Sequence, residues 1–140
     1  MIIEYDHSVS LALREILEPR FDSVAYLFPG WCEKLVVYWD TSEADETILT
    51  CNPRHEYRIM SITVHPLFLS NTFTWEDDLI HEIQHGLVRP LIAKIDRIVE
   101  KFVKDDTITE YINDELAEIE EAVCEDLAIL AKKLKQNADV

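Results

Sequence analysis

The sequence predicts an α+β fold, and three observations carry that reading. Three β-branched or aromatic runs lie between residues 34 and 64, the chain from residue 74 onward has apolar residues at helical spacing, and a short helical segment stands before the strands. A chain of 140 residues is long enough for one domain, 1–140, and too short for two ordinary ones. Hydrophobic residues make up 48% and charged residues 29%, which are globular proportions and predict a packed core.

The first element is a helix capped by Ser8, running to about Leu17 and stopped before Pro19; His7 reads as a helix-start residue. Pro29-Gly30 is a turn. Lys34 to Trp39 is a strand bounded by Asp40-Thr41-Ser42. Thr47 to Cys51 is a second, ended by Asn52-Pro53, and Tyr57 to Val64 a third, ended by His65-Pro66. Met60, Ile62 and Val64 share one face of the third, the two-residue period of a half-buried strand. The second and third form a hairpin around Arg54-His55-Glu56. Thr74-x-x-Asp77, a variant of the capping box, opens a helix through His81, Glu82 and His85. Pro90 is expected to kink or break it, because proline lacks an amide hydrogen and crowds the preceding turn. A helix resumes from Leu91 to about Lys104, Asp105-Asp106 marks a break, and a last helix covers roughly Thr109 to Gln136. Its first two thirds are acidic and Lys132, Lys133 and Lys135 stand at its end, a polarity that suits the helix dipole. The apolar residues after Pro90 fit a dimer contact and core packing equally, so monomer and homodimer both stay open.

A net charge of −15 argues against nucleic acid and against anionic membrane surfaces, both of which are bound through Lys and Arg. It suits a solvated surface first and a basic substrate second. The cysteines, Cys32, Cys51 and Cys124, are odd in number and lack a Cys-x-x-Cys spacing. Reduced thiols in a cytoplasmic protein are the expectation. The N-terminus has no basic region and no long apolar stretch of the signal-peptide kind, and no run approaches a membrane span.

His81-Glu82-Ile83-Gln84-His85 is the segment that carries chemistry. Residues four apart share a helix face, so His81 and His85 can hold one Zn²⁺ together. Glu82 projects about 100° around the helix, which suits a base acting on metal-bound water rather than a ligand. A catalytic site needs a third protein ligand, and no histidine follows His85. The last helix offers Asp114, Glu115, Glu118, Glu120, Glu121, Glu125 and Asp126. Glu121 is the best choice, because small uncharged residues (Ala117, Cys124, Ala128) share its side and let it approach the core. Glu125, one turn on, can accept a hydrogen bond from a ligand histidine's second nitrogen. Cys124 reads as a buried structural thiol.

These residues resemble the gluzincin metallopeptidases. His81 to His85 matches their zinc-binding helix, and Glu121-Ala122-Val123-Cys124-Glu125 their second motif, a Glu ligand followed four residues later by an acid. The resemblance is closest to the small, phage-type minigluzincins, in which Thr63-Val64-His65-Pro66 and Trp75-Glu76-Asp77-Asp78 also have counterparts; it covers about residues 33 to 130. It implies a zincin-like minimal core: an N-terminal helix, a small three-stranded antiparallel sheet, a zinc helix and a C-terminal Glu-bearing helix. It implies hydrolysis of peptide bonds with Zn²⁺ as cofactor, and a peptide or protein substrate added to an exposed edge strand, for which Tyr57 to Val64 is the candidate. Larger gluzincins carry a Tyr or His that stabilises the oxyanion; His55, His65 and Tyr111 qualify by residue type alone. Two other readings fit the same residues: a zinc-binding regulatory protein without efficient hydrolysis, and an acidic helical interaction protein without metal.

Overall fold

The computed structural model describes residues 1–42 and 46–138. The element order is β1 (Ile2–Tyr5), α1 (Leu11–Val24), β2 (Lys34–Trp39), β3 (Leu49–Arg54), β4 (Ile59–Val64), α2 (Pro66–Ser70), α3 (Trp75–Phe102) and α4 (Asp106–Ala138), so the α+β class holds. The sheet differs from the three-stranded antiparallel expectation. It has four strands in the order β1-β2-β4-β3; β1 and β4 run parallel to β2, and only β3 with β4 is antiparallel. β1 escaped the sequence reading because four residues carry little periodicity of their own, and its partner β2 lies on the far side of α1.

The position of β4 corrects a second expectation. The sequence expects Tyr57 to Val64 at the edge, yet β4 is interior, flanked by β2 and β3. Its alternate residues Met60, Ile62 and Val64 are fully buried, as the two-residue period requires. The edge is β3, which continues through Asn52 and Pro53 instead of ending at them. The Ile48 carbonyl accepts from the His65 amide, so in the antiparallel alternation Thr50, Asn52 and Arg54 bond inward and Leu49, Cys51 and Pro53 face outward. Pro53 therefore costs the ladder nothing. The hairpin closes through a 3₁₀ turn, His55–Tyr57, and Arg58 in the left-handed region at φ 58°.

α1 is capped by Ser10, whose hydroxyl accepts from the Leu13 amide at 3.2 Å. Ser8 instead accepts from the Trp39 amide and ties the chain to the end of β2. Pro19 sits inside the helix rather than ending it, because Leu17, Phe21 and Val24 bury one face on both sides of it. α2 carries Phe68 into the core, where its ring meets Trp75 edge-on at 6.3 Å and lies under the Arg20 guanidinium.

α3 runs unbroken through Pro90. The missing proline amide would have bonded the Gly86 carbonyl, and that carbonyl accepts from the Trp31 indole at 2.9 Å. A Cβ at position 86 would lie 2.8 Å from Pro29 and 2.9 Å from Met60, so glycine also lets the helix reach the sheet. The start of α3 differs from the capping box: Thr74 makes no side-chain cap, and its hydroxyl donates to Asp78. α4 begins at Asp106, three residues before the expected start. Lys132 pairs with Asp77 at 2.6 Å and Lys135 with Glu76, which fastens the end of α4 to the start of α3. No helix among the described residues is long and apolar enough to cross a membrane.

Burial raises the thiols of Cys32, Cys51 and Cys124, the last to about 12, with Glu120 and Glu121 adding to the rise at Cys124. A thiol held above its usual value stays protonated, so little reactive thiolate forms at mild alkaline pH. Native protein at about pH 8 is expected to react slowly with a disulfide reagent, and three thiols are expected to appear on unfolding in guanidinium. Rapid reaction of any one thiol in the native state would contradict that burial.

Candidate metal centre

α3 and α4 bring the site together. His81 and His85 stand one turn apart on the face of α3 that meets α4, with ring centroids 5.3 Å apart. Glu121 crosses from α4 and meets both: one carboxylate oxygen lies 3.2 Å from His81 Nε2, the other 3.4 Å from His85 Nε2. The ligand atoms of these three residues all lie within 4.8 Å of one another, so the group could hold a metal ion. Both imidazoles present Nε2 to the shared point and turn Nδ1 away.

Each Nδ1 has a carboxylate. Glu125 lies 3.2 Å from His81 Nδ1, and Glu120 lies 2.9 Å from His85 Nδ1. A neutral ring that donates from Nδ1 carries its lone pair on Nε2, the tautomer a metal needs. The sequence pattern favours Glu121 and Glu125, yet Glu120 also reaches the cluster. It is 4% exposed and also accepts from the Arg89 guanidinium at 3.0 Å. The signal was present: Cys124, Ala128 and Ala131 are buried along the stripe that starts at Glu120. The small-residue side that pointed to Glu121 fits its neighbour equally well. Asp114, Glu115, Glu118 and Asp126 lie on exposed positions of α4 and do not join the cluster.

Glu82 faces the edge strand, with the Cys51 amide nearby. Burial pushes its carboxyl above the usual carboxylate range; His85 and His81 oppose that rise and Glu121 adds to it. A cleft of about 480 Å³ opens beside it, lined by His81, Glu82, Glu125, Asp77 and the Ile48-Leu49 start of β3. None of the oxyanion candidates joins the cluster. His55 pairs with Glu56, His65 meets the Thr50 hydroxyl at 3.2 Å, and Tyr111 is 64% exposed on α4.

Compared with protein-family models, curated proteins and solved structures, the chain matches none.

Proposed function

We propose that the protein is a zinc-dependent metallopeptidase of the gluzincin type. The observation that carries the reading is the convergence of two imidazole Nε2 atoms and the Glu121 carboxylate, each imidazole backed by a carboxylate on its other nitrogen. Two histidines, a carboxylate and room for water are the donor set of catalytic zinc. When bound there, the ion would polarise a substrate carbonyl and acidify a water. The chain supplies the rest. Glu82, in the cleft and outside the ligand set, takes the water's proton and passes it to the leaving amine. Glu120 and Glu125 hold the two rings in register. The outward backbone of β3 receives an extended peptide, which replaces the Tyr57–Val64 strand in that role. The acidic cleft wall repels anionic chains.

Titrating metal-free protein with Zn²⁺ is expected to give one bound ion per chain. Glu121→Gln is expected to weaken it by roughly 10–100-fold or more, and His81→Ala by at least as much. No binding above that of a His81→Ala/His85→Ala double variant would overturn the site. One observation favours a zinc-binding protein without efficient hydrolysis: His55 pairs with Glu56, His65 with Thr50, and Tyr111 is 64% exposed, so none of the three is seen to join the cluster. Turnover of an unfolded protein substrate separates the two readings.

A further inference from the structure

Past Gly86, α3 and α4 pack on each other: Val88 and Ile92 close on Cys124, flanked by Leu116 and Leu127. Among the described residues, one side of this hairpin is bare. In α3 the exposed Leu87, Leu91 and Ile98 each precede a buried residue, Val88, Ile92 and Val99. In α4 the exposed Ile119, Val123 and Leu130 each precede a buried Glu120, Cys124 and Ala131. Both stripes are thus turned about 100° from the buried line in the same sense. In an antiparallel pair, equal offsets fall on one side. With Phe102 and Leu134 the face holds eight large apolar side chains, 38 to 71% exposed. At about 100 Å² for each half-exposed side chain, that is roughly 800 Å². An ordinary monomer's largest apolar patch is about 300–600 Å², whereas roughly 800 Å² is one partner's share of a stable interface.

The two ends of the face complement each other. At its root, a groove of about 540 Å³ lies between Tyr26-Leu27 and the Leu127, Leu130 and Leu134 side chains, with Gln84 in its wall. At its tip, Phe102 is 71% exposed. Gln84 and Phe102 stand about 27 Å apart along α3. A two-fold axis across the middle of the face exchanges root and tip. We propose that a second copy of this chain covers the face, the two hairpins stacked antiparallel with each Phe102 seated in the other's groove. The pairing is isologous, so one patch serves both partners. Copies of net charge −15 repel one another, and salt screens that repulsion, so association tightens as salt rises.

Sedimentation equilibrium of the full chain, from about 1 to 100 μM at low and high salt, tests the pairing. The expected result is a dimer whose dissociation constant rises roughly a hundredfold in Leu91→Glu and in Phe102→Glu, with far-UV circular dichroism unchanged. Leu11→Glu, at an 81% exposed site on α1, is expected to dimerise as the parent does. A monomer across the whole range, or a dimer that both hairpin variants retain, overturns the proposal.

Discussion

Replacing Glu82 with Gln is expected to lower peptide hydrolysis by roughly 10²–10⁴-fold. Zinc affinity should stay within about twofold, since residue 82 is no ligand in the proposed site. The amide keeps the size of the carboxylate and its acceptor oxygen, so the edge strand keeps its neighbour. What it loses is basicity: an amide cannot take a proton from water. The clean readout is a split between kcat and binding, with the rate on an unfolded protein substrate collapsing while a zinc titration is unchanged. Equal rates for parent and variant would remove Glu82 from the mechanism. A parent without any turnover would leave the metal centre standing and remove the peptidase.

Truncating Phe68 to Ala is expected to cost about 3–5 kcal/mol, the range for a fully buried aromatic side chain. For a chain of this size that is roughly 10–20 °C in Tm. The ring sits among Trp75, at the first residue of α3, and Arg20, whose guanidinium spans both rings and donates to the Phe68 carbonyl at 2.8 Å. Loss of the ring opens a cavity under the start of the histidine-bearing helix. Thermal unfolding followed by circular dichroism measures it, and a shift of less than about 3 °C would mean that the cluster is not a fixed point of the fold.

The local parts of this structure were readable from the sequence, and the non-local parts were not. His81, Glu82 and His85 need only the helix period to be placed, and Met60, Ile62 and Val64 only the strand period. The two interior prolines misled because their cost is decided elsewhere. At Pro90 the orphaned carbonyl of Gly86 is taken by Trp31, 55 residues away, a partner that spacing cannot reveal. At Pro19 buried residues on both sides hold the helix together. Strand order has the same origin: β4 pairs with β2 across an intervening β3 that folds back on the edge. Glu121 could be proposed because the small residues near it mark a close-packed side, but the choice between neighbouring acids needed the tilt of α4 against α3. That tilt gives Glu121 to both imidazole Nε2 atoms and buries Glu120 against His85 and Arg89.

The lysine clamps at the end of α4 bear on how the chain would take up a metal. Lys132–Asp77 and Lys135–Glu76 hold α4 beyond Glu121, and Leu116, packed with Cys124 on Val88 and Ile92, holds it before Glu121. The carboxylate on α4 and the histidines on α3 are thus brought together by contacts of the two helices that involve no ion. Many small metal domains fold only when loaded, so that chelation unravels them. Here the α3–α4 contacts around the cluster are made by the protein alone, so an ion would add to the stability by mass action rather than being required for folding. A chelator would empty the centre and leave the scaffold standing, and the heat capacity change on reloading would be that of a local event rather than of a chain collapsing.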